Sequence, residues 1–96
     1  MFQDITVTEL EGLIGKINLI DIRNKETFKE GNIYTSINVP KFDLLDNINK
    51  YLKEYERYYI YCGSGVNSKD ICSFLSKRGF DVVNVIGGYS EWLKIR

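Results

Sequence analysis

Apolar positions along this chain follow two rhythms that alternate. Short, nearly unbroken runs have the length and the β-branched or aromatic content of strands: Ile17-Asn18-Leu19-Ile20-Asp21-Ile22, Arg57-Tyr58-Tyr59-Ile60-Tyr61, and Val82 to Ile86. Between them, apolar residues recur at helical spacing: Leu10, Leu13 and Ile14; then Phe42, Leu44, Leu45, Ile48, Tyr51, Leu52 and Tyr55; then Ile71, Cys72, Phe74 and Leu75. Runs without polar alternation predict strands buried on both faces, as parallel sheets require.

Local signals divide the chain further. Thr6-Val7-Thr8-Glu9 predicts a capping box that opens the first helix, and Gly15 its end. Asn24 predicts an N-cap for a short helix through Phe28, closed by Gly31. Ile33 to Val39 reads as an extended connection stopped by the sole proline, Pro40, and the helix that follows is expected to break near Asp46-Asn47. Ser68 is the expected N-cap of a helix running to Lys77, with Gly79 at its stop. Gly87-Gly88 predicts a sharp turn into a last helix, Tyr89 to Ile95, that carries Trp92. Strands alternating with helices predict an α/β fold: a central, mainly parallel sheet with right-handed crossovers and helices on both faces. With 96 residues and no repeat, low-complexity tract or linker, residues 1–96 are expected to form a single domain.

Composition narrows the function. Lys and Arg total 13, and so do Asp and Glu, so no broad field exists to hold nucleic acid or an anionic membrane. No apolar run approaches the roughly 20 residues that span a bilayer, and Met1-Phe2-Gln3-Asp4 does not open a signal peptide. Two cysteines make no disulfide framework, and a reducing, cytoplasmic location is expected. Histidine is absent, which removes Cys–His pairs, Ser–His–Asp triads and most zinc sites; no metal or cofactor is implied.

The candidate chemistry lies where a strand ends. Tyr59-Ile60-Tyr61 runs into Cys62, which opens the loop Gly63, Ser64, Gly65, Val66, Asn67 and Ser68 before a helix. Glycines let such a loop turn its N–H groups inward, and a helix start adds donors and partial positive charge. A sulfur inside that ring gains donors as an anion that the neutral thiol does not need. The other reading of the same residues is a tight turn around a buried, inert cysteine. Asp21 also falls at a strand's carboxyl end, where ligands of parallel sheets belong. It either accepts from the loop or pairs with Arg23. Arg23 is in turn a structural partner of carboxylates or a cation near the loop. Cys72, ten residues past Cys62 on a helix, is either a resolving thiol or a small core residue. The tyrosines from Tyr51 to Tyr61 offer either a stacking surface or half-buried packing.

Taken together, these stretches resemble the rhodanese family. Leu19 to Arg23 with Glu26, Phe28 and Gly31-Asn32-Ile33, then Ile37-Asn38-Val39-Pro40, is similar to its opening signature. Cys62-x-Ser64-Gly65-x-x-Ser68 resembles its active-site loop, and Gly79-Phe80, Gly87-Gly88 and Trp92 its closing signature. The resemblance implies a parallel sheet of about five strands and a sulfurtransferase or persulfide carrier. Cys62 would be the nucleophile, Gly63 to Ser68 its cradle, and Asp21 and Arg23 supporting residues. The implied partners are a sulfane-sulfur donor and a thiol acceptor, small molecule or protein. Phosphatases of this fold use a longer loop, whereas here four residues separate Cys62 from Asn67, which suits a persulfide rather than a phosphate.

Asn67 stands where active rhodaneses commonly place arginine, and Gly63 where a basic residue often follows the cysteine, so the loop has no formal charge. A neutral amide cannot hold a dianionic donor in bidentate fashion. Weak thiosulfate activity is therefore expected, with a persulfide as the better donor. The alternative is a non-catalytic rhodanese-like module that binds a protein partner.

Overall fold

The computed structural model describes residues 1–96. Five strands form one all-parallel sheet in the order β1-β5-β4-β2-β3: β1 Gln3–Ile5, β2 Asn18–Asp21, β3 Ile37–Asn38, β4 Arg57–Tyr61 and β5 Asp81–Val85. Six helices connect them: α1 Val7–Glu11, α2 Lys25–Glu30, α3 Lys41–Asp46, α4 Ile48–Tyr51, α5 Val66–Ser76 and α6 Gly88–Lys94.

The buried runs become the central strands, as their lack of alternation predicts. Side chains along them point to opposite faces in turn, and two cores result. Ile20, Tyr58, Ile60 and Val82 face one side, where Leu44, Ile71 and Leu75 of α3 and α5 cover them. Leu19, Tyr61 and Val85 face the other, under Val7 and Leu10 of α1 and Trp92 of α6. Cys62, two residues past Ile60, belongs to the first face.

Several boundaries differ from expectation, each for a local reason. The capping box forms, with Thr6 Oγ1 accepting from Glu9 N and Glu9 accepting from Thr6 N, yet α1 ends at Glu11. Beyond it the chain makes only i→i+3 turns, Leu13 N to Leu10 O and Lys16 N to Leu13 O, the second passing through Gly15 at φ 88°. The expected long helix breaks at Asn47, and its second piece stops at Tyr51 rather than Tyr55. Ser68 is not an N-cap. Gly65, at φ 94°, turns the chain directly into α5, so that Ser68 lies buried in the first turn. Strand β1 carries no sequence signal of its own. It is an edge of three residues whose ladder, Gln3 to Val83 through Ile5 to Val85, is supplied by β5.

Candidate active site

Cys62 leaves the carboxyl end of β4 with its side chain on the α5 side. The residue is 3% exposed and packs on the first core, yet its sulfur also meets backbone donors. Gly65 N donates to Sγ at 3.1 Å and Ser68 N at 3.3 Å. Both amides belong to the start of the 11-residue α5, whose N-terminal partial charge adds to the two hydrogen bonds. The Ser68 hydroxyl lies 3.5 Å from Sγ, 3.3 Å from Gly65 O and 2.6 Å from Asn84 Oδ1. Gly63, Ser64, Val66 and Asn67 are the exposed members of the loop.

A second pair of glycines shapes the cradle from outside. Tyr89 N and Ser90 N, at the start of α6, donate to Cys62 O and Gly63 O, both at 2.9 Å. A trans peptide points its N–H opposite its C=O, so this anchoring turns the Gly63 and Ser64 amides away from α6. The approach is too close for side chains: a Cβ on Gly88 would lie 2.2 Å from Cys62 O, and one on Gly65 2.8 Å from Gly87 N. A cleft of about 370 Å³ adjoins the loop between Ser64, Gly65, Gly87, Asn84 and Asp4. The largest cleft, about 490 Å³, lies at the opposite, amino-terminal ends of β2 and β4, around Lys16, Asn18 and Arg57.

Asp21 and Arg23 come together with each other and not with the loop. The Asp21 carboxylate, fully buried, takes Arg23 N at 2.8 Å, Nε at 3.0 and 3.1 Å, and an Nη at 2.7 Å; that same nitrogen donates to Gly31 O at 2.7 Å. The guanidinium stacks 4.3 Å from the Tyr89 ring centroid, on the face opposite Cys62. Burial works against the Arg23 charge, and Asp21 overcomes it, so the net shift is upward. Alternation along β2 explains the placement, because Asp21 shares the side of Leu19 while the sulfur shares that of Ile60.

The cation beside the loop is a different one. Lys41 Nζ, from the first residue of α3, donates to Asn67 Oδ1 at 3.4 Å, across 26 positions of sequence. Lys41 joins none of the ion pairs, which are Arg23–Asp21, Arg57–Asp81, Lys94–Glu91 and Arg96–Glu11. Asn84 and Asp4 were likewise not legible as site residues. A polar residue inside the apolar run Val82 to Ile86 is the one sequence feature that sets Asn84 apart, and it says nothing of a partner.

Cys72 is fully buried in the first core and free, and burial, with Asp4 and Cys62 adding to it, pushes its thiol up to about 12. It packs as a small residue of that core. The tyrosines do not share a surface. Tyr58 and Tyr61 are buried on opposite faces, the former taking Lys53 N at 2.9 Å, while Tyr55 is 82% exposed. No group of three or more His, Cys, Asp or Glu side chains is arranged to hold a metal. No helix is long and apolar enough to cross a membrane.

A parallel α/β sheet that presents one cysteine at its carboxyl edge, inside a short loop of backbone donors, defines a class of cysteine-loop domains. The family within that class follows from comparison. A family model, Rhodanese-like domain, matches residues 6–95. The chain is 34% identical over 77 residues to YtwF of Bacillus subtilis, provisionally named a sulfurtransferase, covering 80% of this chain and 74% of that one. It is 29% identical over 87 residues to Thiosulfate sulfurtransferase 16, chloroplastic, of Arabidopsis thaliana, covering 78% and 72%. A crystal structure of a rhodanese-like domain protein from Staphylococcus aureus superimposes with a TM-score of 0.86 at 32% identity, over 95% of this chain and 91% of that one. This chain belongs to the rhodanese-like domain family.

Proposed function

We propose that the protein is a sulfurtransferase or persulfide carrier whose nucleophile is Cys62. The observation that carries this reading is the pair of amides, Gly65 N and Ser68 N, aimed at Sγ from the start of α5. Donors so placed stabilise negative charge on sulfur, whether thiolate or persulfide. In the forward step the Cys62 thiolate attacks the outer sulfur of a donor. The S–S bond of the donor breaks, the leaving group departs with the electron pair (sulfite, if the donor is thiosulfate), and Cys62–S–S⁻ forms. An acceptor thiolate then attacks the outer sulfur, takes it as its own persulfide, and returns Cys62 to thiolate. Electrons balance within the two exchanges, with no external oxidant.

The loop Gly63, Ser64, Gly65, Val66, Asn67 and Ser68 holds the sulfur anion, and Lys41 at the Asn67 amide meets the negative end of the donor. Asp21 and Arg23 act at one remove, by fixing the strand end and Gly31 from the other face. A lone ammonium is a point charge without the bidentate fork of arginine. Thiosulfate is therefore a weaker donor than a persulfide, small molecule or protein. The free thiols Cys62 and Cys72 fit a reducing, cytoplasmic setting.

Turnover with two donors tests the reading. With a thiol acceptor present, kcat/KM is expected to be higher for glutathione persulfide than for thiosulfate, and both activities are expected to vanish in Cys62→Ser. Activity that survives Cys62→Ser contradicts the assignment of the nucleophile. Thiosulfate turnover equal to that of the persulfide contradicts the assignment of the donor.

A further inference from the structure

Asn84 lies on β5 with 3% exposure, an amide inside an otherwise apolar face. Burying such a group costs stability unless both of its ends find partners, and both do. Its Oδ1 accepts from Ser68 Oγ at 2.6 Å, and its Nδ2 donates to Asp4 Oδ1 at 3.0 Å. Strand pairing sets the second contact, since Asp4 stands opposite Asn84 across β1 and β5. The first follows from α5 packing on β5, with Ser68 in its first turn.

We propose that Asn84, held by Asp4, is a positioning residue for the sulfur: it decides where the Ser68 hydroxyl proton points. The proposal rests on the reading of Cys62 as nucleophile and extends it. An ionised aspartate only accepts hydrogen bonds. The Asn84 amide therefore presents its nitrogen to Asp4 and its oxygen to Ser68. Ser68 has one proton and three acceptors within reach: Asn84 Oδ1 at 2.6 Å, Gly65 O at 3.3 Å and Cys62 Sγ at 3.5 Å. The shortest contact takes the proton, so Oγ turns a lone pair toward the sulfur.

That arrangement suits a neutral thiol, which donates its S–H to Oγ, and opposes a sulfur anion. To help the anion the hydroxyl must swing toward it, and the buried Asn84 oxygen is then left without a donor. Asn84 thus restrains ionisation of the sulfur, while the Gly65 and Ser68 amides promote it. The other titratable or charged groups around the site are Cys72, Lys69 and Asp70 on α5, Asp4 on β1 and Lys41 on α3. None of them makes a hydrogen bond to the Ser68 hydroxyl.

The test reads the thiolate fraction of Cys62 by its ultraviolet absorbance, with Cys62→Ser subtracted, at the pH where the parent is half ionised. Asn84→Ala frees the hydroxyl proton for the sulfur. The thiolate-to-thiol ratio is expected to rise about fivefold, the change one net hydrogen bond of ordinary strength makes. Asp4→Ala, on an exposed edge strand, only lets the amide turn over, and a smaller rise is expected. In a Ser68→Ala background both effects are expected to disappear, apart from the Coulombic part of the Asp4 change. An unchanged or lower ratio in folded Asn84→Ala overturns the proposal. So does a rise of equal size with and without the Ser68 hydroxyl. If Asn84→Ala does not fold, the Asp4→Ala comparison in the two backgrounds decides by itself. The measurement needs no sulfur donor, so it stands apart from whether Cys62 carries sulfur.

Discussion

Lys41 begins α3, where a cation opposes the partial positive charge of a helix N-terminus. Its position is explained instead by Asn67, whose amide it reaches. Lys41→Ala is expected to raise the KM for thiosulfate about tenfold with kcat little changed, the loss of one charge-assisted contact worth about 1.5 kcal/mol. Lys41→Arg is expected to restore it, and steady-state kinetics at fixed ionic strength checks both. Tyr61 carries a different load at the same strand end. Its hydroxyl accepts from Ile33 N at 3.0 Å and bonds Ser36 Oγ at 2.9 Å, tying β4 to the connection before β3. Tyr61→Phe leaves the fully buried Ile33 amide without an acceptor, and a loss of about 1–3 kcal/mol in denaturant unfolding is expected. At this scale the sequence was legible where chemistry is local. The place of Cys62 in a strand-to-helix loop could be read directly, because strand and glycines are contiguous, although the helix begins at Gly65 rather than Ser68. Lys41, Asn84 and Asp4 could not, because each meets the loop through the fold.

Among the elements, the turn at Gly87-Gly88 does more than reverse the chain. It brings the first amides of α6 onto Cys62 O and Gly63 O, so the closing segment of the sequence holds the loop in place. Gly88→Ala, at φ 56° with its Cβ 2.2 Å from Cys62 O, must displace that carbonyl. A stability loss of about 2 kcal/mol or more is expected, with a matching fall in sulfur transfer. Gly63→Ala is the control, since nothing lies within 4 Å of its Cβ; a change under about 1 kcal/mol is expected in the same unfolding measurement. The order of elements from α1 to α6 was legible from apolar spacing and turn residues. What escaped was what only partners supply: β1, whose ladder β5 provides, and the start of α5, fixed by Gly65 at positive φ rather than by a serine cap.

Across the whole molecule the parallel sheet separates two tasks. One face buries the Asp21–Arg23 pair and its aromatic stack, and the other holds the sulfur against α5. Legibility followed the same division: unbroken apolar runs announced a sheet covered on both sides, while which carboxylate shares a face with which cation required the register. Burial also sets an alkaline limit. Cys72 rises from 9.0 to about 12, and desolvation raises Tyr61 as well. Between those values the unfolded chain has released the Cys72 proton while the native protein keeps it. The native state then binds more protons, so the contribution of Cys72 to stability is fully present below pH 9 and is lost as pH rises toward 12. Cys72→Ala is expected to flatten the fall of melting temperature above pH 9 without abolishing it, because Tyr61 contributes in the same direction.

Sulfur carried on Cys62 would be seen most directly by intact-mass spectrometry after brief exposure to a sulfane donor. A gain of one sulfur atom is expected, mapped to the peptide bearing Cys62, removed by a thiol acceptor and absent in Cys62→Ser. No gain with either thiosulfate or glutathione persulfide would contradict that role for Cys62, as would a loss of two hydrogens with Cys62 joined to Cys72.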